Sequence, residues 1–285
     1  MKKILLLIVC CLMLTGCFNK DSMEDIDIYV AYYPIEYITT VLYENHSTIH
    51  SIYPDEANIY TFTLTDKQIE NYSKSDLFIY DGQGSQREYA VKMLENNKKI
   101  KIIDSSKGVT YDDTIESLWL NPGNMLMVCQ NIKKGFEEYI TNPYLLKEVE
   151  ENYEELKLKI SELDVELKSI TENSSNKTIV VSNDVFKFLS KYNFNVISLE
   201  ENENLTTKTI DDVKKMIKDG TIKYIYLTEG EEKSETIKNI ITETNVNTLT
   251  LNTISTITSK QRQENENYLT IMNENIQALK KGLIN

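Results

Sequence analysis

Residues Pro143 to Ile170 read PYLLKEVEENYEELKLKISELDVELKSI, and their pattern indicates one long amphipathic helix. Its apolar residues recur at spacings that alternate between three and four, which is the pattern of one face of an α-helix. Pro143 suits the first helical turn, and about 28 residues at a rise of about 1.5 Å each make a helix roughly 40 Å long. The apolar stripe consists of Leu146, Val149, Tyr153, Leu156, Ile160, Leu163, Leu167 and Ile170.

This spacing is compatible with two arrangements of the helix. A strict three-four pattern is also a heptad, so the helix would equally suit a coiled coil with a second copy. However, the helical pattern ends at the polar stretch 173–176 (NSSN), and β-rich segments lie on both sides of it. We therefore favour a helix that packs within one chain and links two parts of it.

Strand-like and helix-like segments alternate on both sides of this helix. Short apolar runs such as 77–80 (LFIY) and 178–182 (TIVVS) are separated by amphipathic stretches, which is typical of a parallel sheet covered on both faces. The predicted fold class is α/β, with two lobes that each hold a roughly four-stranded, mostly parallel sheet flanked by helices. The long helix joins the lobes, and the cleft between them is a common ligand location. The predicted divisions are 1–16 signal peptide, 17–25 tether, 26–142 N-terminal lobe, 143–172 linking helix and 173–285 C-terminal lobe.

The first 17 residues read as a targeting signal. Lys2 and Lys3 precede an apolar run, 4–14, that is too short to span a bilayer. The run ends in Leu14-Thr15-Gly16-Cys17, which resembles a bacterial lipobox, in which the cysteine is diacylated and becomes the first mature residue. Two acyl chains give stable anchoring, so we expect attachment through Cys17 to the outer face of the cell membrane. The alternative is an ordinary signal peptide with an incidental cysteine.

Composition excludes several classes of function. The chain has 31 basic and 44 acidic residues, a formal net charge of −13, and this charge repels nucleic acid. Two histidines leave few general bases. The sequence contains no G-x-S-x-G, P-loop, G-x-G-x-x-G or Cys/His pair, so we predict that the protein is not an enzyme.

Cys129 is the one cysteine that remains free after signal cleavage and acylation of Cys17. An intramolecular disulfide is therefore not expected in the mature chain. Cys129 follows the apolar run 125–128 (MLMV), which predicts a small core residue and not a reactive thiol.

Six motifs, in order along the mature chain, resemble those of one protein family. They are 60–66 (YTFTLTD, family Y-E-P-T-P-x-D), 75–82 (SDLFIYDG, A-D-L-F-V-Y-N-G), 104–108 (DSSKG, D-A-S-K-G), 119–122 (WLNP, W-L-S-P), 181–186 (VSNDVF, T-S-H-D-A-F) and 268–275 (YLTIMNEN, Y-I-S-I-M-R-E-N). By these motifs the sequence is similar to the zinc/manganese ABC-transporter solute-binding lipoproteins, the group in which a rigid helix links two lobes. The resemblance implies a lipoprotein that captures a solute outside the cell and delivers it to an ABC permease with its ATPase.

The departures from the family fall on its metal ligands. By these motifs the three ligand histidines of the family fall on Asn58, Ser117 and Asn183, and a fourth ligand, a carboxylate, falls on Ser255. The His-rich acidic loop of many zinc-binding members is also missing, since 108–119 reads only GVTYDDTIESLW. The resemblance therefore implies a ligand-binding position whose metal ligands have been replaced.

The replacements change what the position can bind. Zinc prefers imidazole, thiolate or carboxylate, and calcium usually needs several carboxylates, whereas Asn and Ser offer neutral oxygens. We predict no tight metal and no cofactor, with zinc or manganese bound only if an atypical site exists. Three alternatives remain open: a small polar solute, relaxed selection in a hydrated cleft, and a surface-displayed interaction protein or adhesin on the same fold.

The two histidines, His46 and His50, do not suggest a metal pair. Their spacing suits one ion only on a helix, whereas residues 47–49 (STI) favour a strand, which holds the two too far apart. We predict that both are surface or structural residues. Acidic residues near the motifs form either a carboxylate site or, as we expect, a solvated rim. They are Asp55, Glu56, Glu116, Asp184 and Glu229.

Overall fold

Two parallel four-stranded sheets form the framework of the computed structural model, which describes residues 20–110 and 114–284. The first sheet has the strand order β2-β1-β3-β4 and the second β6-β5-β7-β8. All six pairings are parallel, as predicted from the short apolar runs. The strands are β1 Ile26–Val30, β2 Ser47–Ser51, β3 Leu77–Tyr80, β4 Lys101–Asp104, β5 Thr178–Val181, β6 Asn195–Ser198, β7 Tyr224–Thr228 and β8 Asn247–Leu251.

Helices connect successive strands and cover the sheets. Two further segments, Glu44–His46 and Asp184–Tyr192, are 3₁₀-helical. No helix within the described ranges combines the length and apolar composition needed to cross a membrane. The helices are α1 Tyr33–Tyr43, α2 Asp66–Tyr72, α3 Gln86–Asn96, α4 Ser117–Leu120, α5 Pro122–Tyr139, α6 Pro143–Asn173, α7 Thr207–Lys218, α8 Glu235–Thr244, α9 Ser259–Gln263 and α10 Tyr268–Leu283.

Helix α6 is the long helix that the apolar spacing predicts. Its first turn contains Pro143, and the side chain of Asn142 caps its amino end by accepting from the backbone N–H of Tyr144. The predicted stripe is buried from Val149 to Ile170. At its start the buried residue is Leu145, whereas the predicted Leu146 is only partly buried. The stripe packs against α5, α1 and α10 of the same chain, which is the intramolecular arrangement favoured above.

Helix α5 is an element that the sequence patterns did not reveal. Asn121 caps its amino end by accepting from the N–H of Gly123. A short connection at 140–142 leads from this helix into α6, against which it packs. Cys129 lies on its buried face and is 0% exposed, as predicted. Burial raises the pKa of this thiol well above its usual range, so it stays protonated and unreactive.

The loops at the carboxyl ends of the two sheets meet between the lobes. Trp119 donates from its indole Nε1 to the carbonyl of Thr253, which follows β8, over 2.8 Å. The hydroxyl of Tyr268, at the start of α10, donates to the carbonyl of Trp119 over 2.7 Å. Both aromatic side chains are at most 1% exposed. One apolar core therefore runs through the junction and holds the lobes together.

Arg262 of α9 forms a second link between the lobes. Its guanidinium donates to both carboxylate oxygens of Glu36 in α1, over 2.8 and 3.1 Å, and to Asp55, which follows β2, over 2.9 to 3.1 Å. It also lies 5.5 Å from the ring centre of Tyr33. Asp55 thus pairs with a cation across the junction and is not part of a free acidic rim.

Candidate ligand site between the lobes

A buried carboxylate forms the centre of the junction. Glu116 lies just before α4 and is only 2% exposed. The hydroxyl oxygen of Tyr60 lies 2.7 and 2.5 Å from its two carboxylate oxygens. Ser255, in the loop after β8, adds a weaker hydroxyl contact of 3.4 Å. Hydroxyl groups from both lobes therefore hold one carboxylate, which is the kind of charge-assisted bond that counts most in a buried site.

Asn58 is used to shape the loop that carries Tyr60. Its side-chain oxygen accepts from the backbone N–H of Tyr60 over 2.9 Å and from that of Thr61 over 3.2 Å. This is an Asx turn, a local hydrogen-bonding habit of Asn. The turn directs the ring of Tyr60 across to Glu116, although the side chain as a whole remains 64% exposed.

Ser117 is buried and directed towards its own chain. It is 3% exposed, and its hydroxyl donates to the carbonyl of Thr114 over 2.9 Å. Its carbonyl accepts from the side-chain amide of Asn124 over 2.9 Å. The position therefore supports the turn into α4 and places Glu116 at the junction.

Asn183 caps the 3₁₀ segment that follows β5. Its side-chain oxygen accepts from the N–H of Val185 over 3.0 Å, and its amide donates to Glu231 over 3.2 Å. The next residue, Asp184, donates its backbone N–H to Glu200 over 2.7 Å. Asn183 makes no hydrogen bond to the Tyr60–Glu116 pair, but Glu200 lies close enough to that pair to affect Tyr60 electrostatically.

Electrostatics keep Tyr60 protonated. Burial of the hydroxyl is the largest cause of a strongly raised pKa, followed by the hydrogen bond to Glu116 and the charges of Glu116 and Glu200. A tyrosine that does not ionise remains a hydrogen-bond donor over the whole physiological pH range. The junction is therefore a hydroxyl–carboxylate cluster in which Tyr60 donates to Glu116.

The side chains at the predicted ligand positions take part in local hydrogen bonds. Asn58 and Asn183 use their side-chain oxygens on backbone N–H groups, and the hydroxyl of Ser117 donates to a carbonyl. Across residues 20–110 and 114–284, no three His, Cys, Asp or Glu side chains are grouped so that they could hold a metal ion. The Asn and Ser side chains at these positions offer neutral oxygens, which are not among the ligands that zinc prefers.

The histidines lie elsewhere. His46 contacts Glu148 of α6, with 2.9 Å between Nε2 and Oε2. The ring of His50 stacks on Tyr29 at 5.1 Å, and its Nε2 lies 3.8 Å from Asp27. Both therefore contact single carboxylates of the N-terminal lobe or the linking helix, which fits the surface or structural role predicted for them.

The other acidic residues named from the sequence have individual partners. Asp184 pairs with Lys187 over 2.6 Å, and Glu229 accepts from the side-chain amide of Asn252. The backbone N–H of Glu56 donates to the hydroxyl of Thr256 over 2.8 Å, again across the junction. Of the five acidic residues, Glu116 alone lies in the Tyr60 cluster. The sequence patterns did not single out Tyr60 or Glu200 as site residues. For Tyr60, the available signal was its position two residues after Asn58.

Two similar parallel sheets and a long connecting helix form a two-lobed α/β architecture, in which the space between the lobes is a common ligand location. The chain belongs to the family described as ZnuA, zinc-uptake complex component A, periplasmic, which matches residues 28–282. This membership confirms the resemblance drawn from the six motifs.

Relatives and solved structures agree with this family. The high-affinity zinc uptake system protein ZnuA of Bacillus subtilis is 20% identical over 96% of this chain and 95% of its own length. The zinc-binding lipoprotein AdcA of Streptococcus pneumoniae is 21% identical over 99% of this chain, which spans only 61% of AdcA. The metal-dependent lipoprotein YcdH of B. subtilis has the same fold, with a TM-score of 0.76 and 19% identity, over 92% of this chain and 100% of its own. A Zn(II)-bound ZnuA-like domain of S. pneumoniae AdcA gives a TM-score of 0.73 at 19% identity, over 91% and 99% of the two chains.

Replacing Tyr60 by Phe is expected to lower the free energy of unfolding by about 1–2 kcal/mol, because Glu116 would stay buried with only the long Ser255 contact. Urea denaturation followed by circular dichroism measures this change. Tyr144→Phe is the matched control, since Tyr144 is 82% exposed, and it is expected to stay within about 0.5 kcal/mol of wild type. Equal effects of the two variants would show that the Tyr60 hydroxyl does not stabilise the junction.

Proposed function

We propose that this chain is the solute-binding lipoprotein of an ABC uptake system and that its site no longer holds zinc through the ligand positions of its family. Membership of the zinc-uptake family over residues 28–282 supports the transport role. The proposal that the site is altered is supported by the hydroxyl–carboxylate cluster of Tyr60, Glu116 and Ser255 at the place where the lobes meet. A permease with its ATPase is the proposed partner, and no catalytic role is assigned.

The proposed ligand is a small polar solute. The alternative, which the experiment below tests, is a metal ion. The four replaced positions keep polar side chains, which is what a pocket that binds by hydrogen bonds requires. Opening the junction would free the Tyr60 hydroxyl and the Glu116 carboxylate, one donor and one acceptor group directed at the same space. Neither group offers zinc the imidazole set that its tight sites use.

Native mass spectrometry of protein purified without chelator tests the ligand class. The spectrum is expected to show either the mass of the protein alone or that mass with a bound organic solute. A stoichiometric adduct of one zinc or manganese ion would contradict it. Glu116→Gln, measured in parallel, is expected to lose any solute adduct, because the substitution removes the charge at the centre of the cluster while keeping its size.

Anchoring is proposed to occur through Cys17, which lies outside the described residues. Cys17→Ala is expected to shift the protein from the membrane fraction to the medium or to an unprocessed form, because the acylated side chain is gone. Cell fractionation with immunoblotting measures the distribution. Cys129→Ala is the matched control and is expected to stay with the membrane. If the Cys17 variant fractionates and migrates like wild type, the anchor is elsewhere.

A further inference from the structure

The chain just before β1 is fixed to the body of the protein. Asp21 is 6% exposed, and one of its carboxylate oxygens accepts from the N–H of Thr141 over 2.8 Å, from the Thr141 hydroxyl over 2.7 Å and from the N–H of Asn142 over 2.6 Å. Met23 is 0% exposed, and its carbonyl accepts from the hydroxyl of Tyr43 over 2.8 Å. Residues 21–25 of the predicted tether are thus docked at the turn between α5 and α6.

Asp21 is ionised in this position. Burial by itself would raise the pKa of the carboxyl group, but hydrogen bonds from Thr141, Met23 and Asn142 outweigh it and lower the pKa. A carboxylate also suits this place because the amino end of α6 carries a partial positive charge. The stabilisation that the ionised Asp21 contributes is therefore present at neutral pH and decreases as the pH falls through the lowered pKa.

The docked segment limits how far the protein can move from its anchor. Four peptide steps separate Cys17 from Asp21, and a fully extended chain covers at most about 14 Å in four steps. An acyl group on Cys17 would hold the α5–α6 turn within that distance of the bilayer. This limit rests on the anchoring proposed above.

Tyr144 is exposed next to this dock. It is 82% exposed, the highest value among the large hydrophobic and aromatic side chains of the described residues, and it lies in the first turn of α6. A tyrosine has an apolar ring and a polar tip, which is the combination favoured at the headgroup level of membranes.

The rest of α6 is unsuited to an anionic lipid surface. Its range, Pro143–Asn173, contains nine acidic and four basic residues. Anionic headgroups repel such a helix if it lies flat within a screening length of about 8 Å. Residues 20–25 and 141–147 hold two basic and three acidic residues, so this corner carries less negative charge than the rest of α6. The amino end of α6 is thus the part of the helix favoured to approach the bilayer.

We propose that the corner formed by residues 20–25 and 141–147 is a membrane-contact surface, with Tyr144 at the headgroup level of the bilayer that holds the acyl chains of Cys17. The corner lies at the amino ends of the first sheet's strands, since β1 begins at Ile26 directly after the docked segment. The candidate ligand site lies at the carboxyl ends and is therefore kept away from the lipid surface.

Tryptophan reporters along α6 test this surface. Tyr144, Leu158 and Val165 are 82%, 62% and 63% exposed, and at about 1.5 Å per residue the latter two lie roughly 21 and 32 Å further along the axis. Each is replaced by Trp in the acylated full chain, which is then reconstituted into phosphatidylglycerol–phosphatidylethanolamine vesicles with or without brominated acyl chains. The native Trp119 is 1% exposed, and its signal, measured on wild type, is subtracted.

The expected result is at least about a twofold greater quenching of Tyr144→Trp than of Val165→Trp, with Leu158→Trp between them or equal to Val165→Trp. Co-flotation with the vesicles is measured first. If the acylated protein does not float, the anchor is wrong and the contact surface falls with it. If the protein floats but the three reporters are quenched equally, or Tyr144→Trp is not quenched, the anchor stands and the contact surface is wrong.

Discussion

Replacing Leu156 by Asp is expected to lower the free energy of unfolding by at least about 3 kcal/mol. Leu156 is 1% exposed and lies in the middle of the buried stripe of α6. The substitution removes a buried leucine side chain and leaves a carboxylate without a partner in an apolar core, and both changes are costly. Because α6 packs against helices of both lobes, the loss is expected in a single unfolding transition measured by urea and circular dichroism.

Leu158→Asp is the matched control for that experiment. Leu158 lies two residues further along the same helix and is 62% exposed. The same chemical change there is expected to alter the free energy of unfolding by no more than about 0.5 kcal/mol. If the two variants unfold at the same urea concentration, the stripe is not part of the core and the coiled-coil arrangement of α6 returns.

Restoring the ligands of the family is expected to create zinc-dependent stability. The variant carries Asn58→His, Ser117→His, Asn183→His and Ser255→Glu. A metal that binds only the folded state adds about 2.7 kcal/mol at a free concentration of 100 times Kd, so the melting temperature should rise clearly with zinc while wild type stays flat. Differential scanning calorimetry with and without zinc measures the shift.

A second variant protects this test against a folding defect. Ser117 is 3% exposed, and a buried histidine there is the substitution that threatens folding most. The variant with Asn58→His, Asn183→His and Ser255→Glu keeps Ser117, and three protein ligands with one water still form a zinc site. If both variants fold and neither responds to zinc, the four positions do not line one site.

The framework of the fold is largely readable from the sequence, because its elements obey local rules. The three-four spacing predicts a helix that ends at Ile170, three residues before the observed end of α6 at Asn173. The apolar run 77–80 coincides with β3. Both elements repeat one simple pattern over their whole length. The segment Asp184–Tyr192 is 3₁₀-helical, and hydrophobic periodicity does not separate this form from an α-helix over so short a length.

Two features could not be predicted from the sequence, each for a physical reason. Helix α5 buries Met125, Val128, Cys129, Ile132 and Phe136. Leu126 and Met127 lie off that buried face, so residues 125–129 look like one continuous apolar run and hide the helical spacing. The Tyr60–Glu116 bond joins residues that are 56 positions apart, and no local pattern records which loops meet between two sheets. The family motifs located the neighbourhood, at Asn58 and Ser117, but the contact itself depends on the packing of the lobes.

A calorimetric titration of the native, metal-free protein with zinc distinguishes a working zinc site from the proposed Tyr60–Glu116–Ser255 cluster. If this chain keeps the fold of its zinc-uptake family without the zinc ligands, we expect no saturable heat at submicromolar zinc, in wild type and in Glu116→Gln alike. One equivalent of zinc bound by wild type with submicromolar affinity would contradict it.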